Sequence, residues 1–163
     1  MKKEFRLISI VIVLFIFLSV IPSSILAGDD AAEKVVKDFA KAYFMLDHSM
    51  AEYLSEEAVI NEDGVNLVDL YIENMTIEAQ NQGYKLSFLQ KKSVKIKTKV
   101  LNADESSAKV LFNANNIRNI NPIYRMIGSV FGILGKYQVQ NIITVVKENG
   151  NWKIAPGAFD MPI

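Results

Sequence analysis

The sequence lacks cysteine altogether and has one histidine and one tryptophan among its 163 residues. Without cysteine, disulfides, thiolate catalysis, cysteine metal sites and a lipid anchor on a processed cysteine are excluded, so stability rests on packing. One histidine and no paired carboxylates at ligand spacing leave no recognisable set of metal ligands. Glu56-Glu57 and Glu62-Asp63 read as solvated turn charges. No glycine-rich phosphate loop follows a strand; Gly128, Gly132 and Gly135 lie in an apolar helical run. No metal or cofactor is expected. An excess of charge of one sign is missing too, with 18 basic and 18 acidic side chains. Lys2, Lys3, Arg6 and Glu4 belong to the N-terminal segment, which leaves 15 basic and 17 acidic residues. That balance provides no basic field for nucleic acid or an anionic membrane surface.

A long apolar run is present at the N-terminus. Lys2, Lys3 and Arg6 precede Leu7 to Ile21, which is apolar except for Ser9 and Ser19, and Pro22 ends it. Ser23-Ser24-Ile25-Leu26-Ala27-Gly28 then supplies small residues before Asp29-Asp30. This order matches a secretory signal, with Ala27 best placed before a cut. Leu7 to Ala27 is also long enough, at about 1.5 Å per residue, to cross a bilayer as an uncleaved anchor. Residues 1–27 are therefore expected to be a signal peptide or N-terminal membrane anchor, and 28–163 a single domain. In both cases the domain faces outward, secreted, periplasmic or at the cell surface, because the basic end stays inside. Membrane contact is expected only through an uncleaved helix.

Three helices are expected next. Ala32, Val35, Val36, Phe39, Tyr43 and Leu46 recur at helical spacing over Asp30–Leu46, with Asp29 and Asp30 at its positive end. Ser49 and Glu52 form a capping-box pattern for a short helix through Met50, Tyr53 and Leu54. Asn61 to Gly64 is a polar turn. Asn66 caps a helix from Leu67 to about Gln82, with Leu67, Leu70, Tyr71, Met75 and Ala79 on one face and Gly83 as its stop.

The period then changes to two. Val94 to Val100 alternates, with Lys95, Lys97 and Lys99 on one face, and Tyr84, Leu86 and Phe88 are candidates to extend this strand. After a polar connection over 102–107, Ala108, Val110, Phe112 and Ala114 alternate on a second strand. Asn149-Gly150 between Val139–Lys147 and Trp152–Ala155 is a strong hairpin signal, pairing Lys147 with Trp152 and Val145 with Ile154. Ile143, Val145, Trp152 and Ile154 then share a face. Between the strands, Asn121-Pro122 opens a stretch with Ile123, Met126, Ile127, Val130, Phe131 and Leu134 at helical spacing, closed by Gly135. This apolar helical insertion, at about 121–135, has two readings. It folds over the domain to complete the core, or it exposes an apolar surface to a protein partner, a dimer mate or a membrane. Arg125 and Lys136 are few basic residues for lipid, which favours a lid or a protein contact.

The segments Val35-Val36-Lys37-Asp38-Phe39-Ala40-Lys41-Ala42-Tyr43, Asp47, Ala51-Glu52-Tyr53-Leu54-Ser55-Glu56-Glu57-Ala58 and Val145-Val146-Lys147-Glu148-Asn149-Gly150-Asn151-Trp152-Lys153-Ile154 together resemble the nuclear-transport-factor-2-like (cystatin-like cone) superfamily, particularly its small exported bacterial members. The resemblance implies an α+β fold: three N-terminal helices packed on a curved antiparallel sheet, a cone, with a potential pocket between sheet and helix. Tyr43, Tyr71, Phe112 and Trp152 are the candidate cone lining.

The fold hosts enzymes, adaptors and proteins without chemistry, so activity has to be argued from side chains. Enzymes of the superfamily place a carboxylate or a His–Asp pair in the cone with a tyrosine as donor, which makes Asp47, His48, Tyr43, Tyr71 and Tyr84 the candidates. Asp47 is equally explained by turn chemistry and His48 by a surface position, and the apolar strand faces supply no acid. No catalytic residue is expected. The leading expectation is an exported non-enzymatic binding module that holds a small apolar ligand in its cone or docks a protein partner through Ile123, Met126, Ile127, Val130, Phe131 and Leu134, with a homodimer as one form. The alternatives are an isomerase- or dehydratase-like enzyme using Asp47 or His48, and a membrane-tethered assembly subunit.

Overall fold

The computed structural model describes residues 23–131, 135–157 and 159. The N-terminal run up to Pro22, Gly132 and Leu134 lie outside the described residues. The architecture is mixed helix and sheet, built on one four-stranded antiparallel sheet in the order β1-β2-β3-β4, which is also sequence order. Its strands are β1 (Lys91–Ala103), β2 (Ser107–Arg118), β3 (Tyr137–Glu148) and β4 (Asn151–Ile154). The helices are α1 (Ser23–Met45), α2 (Glu56–Val59), α3 (Leu67–Asn81) and α4 (Pro122–Val130), with 3-10 turns at His48–Tyr53 and Leu86–Phe88. No helix among the described residues is long and apolar enough to cross a membrane.

Several local expectations need correction. The chain is already helical at Ser23, ahead of Asp30, so Asp29 and Asp30 lie inside the first helix and not at its positive end. The segment after it is a 3-10 turn capped by Asp47, whose carboxylate accepts from Ser49 N–H at 2.9 Å, instead of a helix capped by Ser49. Ser55 caps α2 in turn, its hydroxyl accepting from Ala58 N–H. Asn66 caps α3 through Val68 and Asp69 N–H. Of its expected face, Ala79 is buried and Tyr71 packs against the core, but Leu70 is exposed and Val68 and Ile72 are buried in addition. Tyr84 and Phe88 do not extend β1. They stack on each other at 4.2 Å beside the Leu86–Phe88 turn.

The sheet follows the period-two reading on β2, where Ala108, Val110, Phe112 and Ala114 are all buried. On β1 a register shift between Ser93 and Lys95 breaks the alternation, so Val94 is exposed while Ile96 packs on the core. A bulge inserts one unpaired residue and turns its side chain out of the pleat sequence. Asn149 and Gly150 both take positive φ, 51° and 82°, which is the condition for the tight hairpin between β3 and β4. Lys147 pairs with Trp152 and Val145 with Ile154.

Helix α1 crosses the inner face of this sheet and supplies Val36, Phe39, Ala40, Tyr43 and Phe44 to the core. Phe44 stacks on Phe112 at 6.2 Å and Tyr43 packs between Phe39, Phe44 and Tyr71. Glu33 ties the helix to the edge strand, accepting from Thr98 Oγ1 at 2.7 Å and from Val100 N–H at 3.3 Å. At the other side of the sheet Leu54 bridges to Ile154, and Ser55 N–H donates to the Ile154 carbonyl.

Candidate functional site

Cross-strand pairing arranges the inner face in rows, and the rows change character toward one end. Val100, Val110 and Ile143 form an apolar row, followed by Thr98, Phe112 and Asn141, and then Ile96, Ala114 and Val139. Because residues two apart share a face, the same alternation carries Asn116 and Arg118 inward. Ser93, Asn116 and Tyr137 make the next row, and Lys91 pairs with Arg118 in the last. The end of the sheet where β1 begins, β2 ends and β3 begins is therefore polar and cationic on its inner face.

A cavity of about 500 Å³ opens there, lined by Tyr43, Tyr71, Met75, Glu78, Gln82, Leu89, Lys91, Arg118, Tyr137 and Phe159. That size suits a small organic ligand. One wall is aromatic: Tyr43 and Tyr71 stack at 5.0 Å, and Phe159 packs against Tyr71 at 5.2 Å. The Tyr43 hydroxyl donates to the Phe159 carbonyl at 3.4 Å. The Tyr71 hydroxyl oxygen is buried without a well-formed hydrogen bond, and burial, then the neighbouring Tyr43, push its pKa up.

The other wall is cationic. Lys91 is only 6% exposed and its ammonium sits 4.0 Å over the Tyr137 ring. Arg118 donates from Nε to the Tyr137 hydroxyl and from Nη1 to the Phe88 carbonyl, both at 3.0 Å. Its guanidinium lies 4.2 Å from the Phe88 ring. Burial, and next the Arg118 charge, hold the Lys91 pKa below the usual lysine range, with Glu78 opposing. Glu78 is the one acid among the described lining residues, and it is exposed on α3. Deeper in, Asn116 is fully buried. Its carbonyl oxygen accepts from Ser93 Oγ at 2.8 Å while its amide nitrogen has no partner.

The structure brings together two of the four expected lining residues. Tyr43 and Tyr71 line the cavity. Phe112 lies in the centre of the core against Phe44, and Trp152 is a half-buried hairpin residue with Lys147 Nζ 5.4 Å from its ring; neither lines this cavity. Asp47 and His48 are both exposed and lie outside it. Asp47 is spent on its cap, which holds its carboxyl below the usual range, and His48 Nδ1 lies 3.1 Å from Asp69. Tyr84 is outside it as well. Lys91, Arg118 and Tyr137 are the site residues that sequence reasoning missed. The available signal was the alternation of β2, which runs past Ala114 to Asn116 and Arg118.

A second exposed feature is α4. Asn121 caps it, accepting from Ile123 N–H at 2.9 Å. Ile123, Met126, Ile127 and Val130, with Phe131 just after the helix, are between 45% and 77% exposed. They are not folded into the core, which removes the lid reading for these five side chains; Leu134 lies outside the described residues.

No protein-family model matches the chain, and no curated protein matches it either.

Proposed function

We propose that the protein is an exported, non-enzymatic binding module whose cavity between α1, α3 and the end of the sheet holds a small ligand. The observation that carries this reading is the cavity itself, walled by Tyr43, Tyr71 and Phe159 on one side and Lys91 and Arg118 on the other. The candidates for acid–base chemistry, Asp47 and His48, lie in an exposed turn where a ligand in the cavity does not reach them. Helices followed by an antiparallel sheet whose edge strand carries two register shifts are in keeping with the curved sheet of a nuclear-transport-factor-2-like cone. Export rests on the order of charges, apolar run and small residues over 1–27, and an N-terminus at Gly28 in the mass of the mature protein is the expected result. A retained Met1 would turn the module into a tethered one.

The test of ligand binding uses N-phenyl-1-naphthylamine, an uncharged fluorescent probe, with the full chain. Saturable fluorescence enhancement is expected, and Met75→Trp, which fills the cavity from α3, should remove it while leaving the melt cooperative. No saturable binding, or binding indifferent to Met75→Trp, overturns the reading.

The exposure of Ile123, Met126, Ile127, Val130 and Phe131 favours a second role beside the first, docking of a protein partner on α4.

A further inference from the structure

Lys91 and Arg118 stand directly opposite each other on the inner face at the end of β1 and β2. Like charges in cross-strand register repel, and a buried ammonium without a hydrogen-bonded counter-charge costs stability. Among the described residues no acid forms an ion pair with Lys91 or Arg118; the ion pairs lie on α1 and at His48–Asp69. Arg118 makes its two hydrogen bonds to a phenol oxygen and a backbone carbonyl, which are neutral acceptors. Tyr137, in contact with both cations, contributes a ring face and not a charge. The described lining residues thus carry two positive charges and one negative, Glu78, and a single added negative charge balances them. Opposite the cations, Tyr71 and Phe159 present ring surface, backed by the fully buried Tyr43, and Met75 and Leu89 add apolar wall.

We propose that the cavity takes a small organic acid of single negative charge, its oxyanion on Lys91 and Arg118 and its aromatic or aliphatic body against Tyr71 and Phe159. This rests on the binding-module reading above and names its ligand class. Charge-assisted hydrogen bonds to a carboxylate are short and strong, and an arginine beside a lysine suits an oxyanion held at one end of a largely apolar ligand. A free inorganic anion has the charge but leaves the aromatic wall unfilled, so inorganic phosphate should bind much more weakly than an aryl acid.

The experiment compares 4-phenylbutyrate with 4-phenylbutan-1-ol, alike in body and different in charge, by calorimetric titration of the full chain. The acid is expected to bind at least about tenfold more tightly than the alcohol, the worth of one hydrogen bond to a charged group. Lys91→Met should erase that advantage while the neutral probe N-phenyl-1-naphthylamine still binds. Arg118→Gln serves the same purpose from the opposite strand if Lys91→Met does not melt cooperatively. Equal binding of acid and alcohol, or an advantage that survives Lys91→Met, overturns the proposal and leaves the binding module standing. Phosphate binding as tightly as 4-phenylbutyrate overturns the organic-acid class. Failure of the acid while the neutral probe binds also overturns the proposal, whereas failure of acid, alcohol and neutral probe together removes the module reading itself.

Discussion

Lys91 carries the largest tension between stability and use. A buried ammonium facing a guanidinium is destabilising in the absence of a ligand, and replacing such a group by an apolar one of similar length commonly stabilises a protein. Lys91→Met is therefore expected to raise the stability of the free protein by about 1 kcal/mol, seen as a higher melting temperature. A fall in melting temperature would mean that the ammonium is compensated in the free state. Asp104 behaves in the opposite way. In the turn between β1 and β2 its carboxylate accepts from the N–H and hydroxyl groups of both Ser106 and Ser107, which lower its pKa to about 2 from the ordinary 3.8. A folded-state pKa below the unfolded one gives stability that is present above about pH 4 and lost as pH falls toward 2. Asp104→Asn should thus melt below the parent protein at neutral pH, with the gap closing between pH 4 and 2; a gap independent of pH would show that the charge is not what holds the turn. At this scale legibility was uneven. Tyr43 and Tyr71 were readable as pocket residues because they recur on helix faces. Lys91 and Arg118 were not, because a strand-end cation looks like any solvated lysine or arginine until pairing puts it on the inner face.

Among the elements, those specified by turn chemistry were the most legible. Asn149-Gly150 determines the register of the last hairpin, since both residues adopt positive φ, and the pairs Lys147–Trp152 and Val145–Ile154 follow from it. Asn66 and Asn121 likewise cap α3 and α4 as expected. Elements decided by tertiary packing were not. Helix α3 carries two overlapping apolar stripes, and contact with the core selects Val68, Ile72 and Ala79 over Leu67 and Leu70. The segment Tyr84 to Phe88 has a strand's alternation, but Leu86–Phe88 is wound into a 3-10 turn, with Arg118 bonded to the Phe88 carbonyl. Among the described residues, helix α4 is the element with an apolar face and no cover. Replacing Ile123, Met126, Val130 and Phe131 together by serine should leave the melt of the domain unchanged, because these side chains contribute little to the core. If the partner is a second copy, sedimentation equilibrium should find self-association in the parent chain that this variant loses. A substantial loss of thermal stability would contradict the view of α4 as an uncommitted surface.

At the scale of the whole molecule, the α+β class followed from the switch in period after Gly83, and the four strands lie near their expected places. What no periodicity could supply was the gradient across the inner face, apolar under α1 and cationic at the far end, because it is a property of paired rows. That gradient is what turns the gap between helix and sheet into a site with a direction. We propose that a small ligand enters at this end and nowhere else. This is tested most directly by titrating the isotope-labelled full chain with N-phenyl-1-naphthylamine and following backbone amide shifts by NMR. The amides of Tyr43, Tyr71, Lys91, Arg118 and Tyr137 are expected to move together along one saturable curve. Shifts confined to residues 123–131, or no shifts at all, would contradict it.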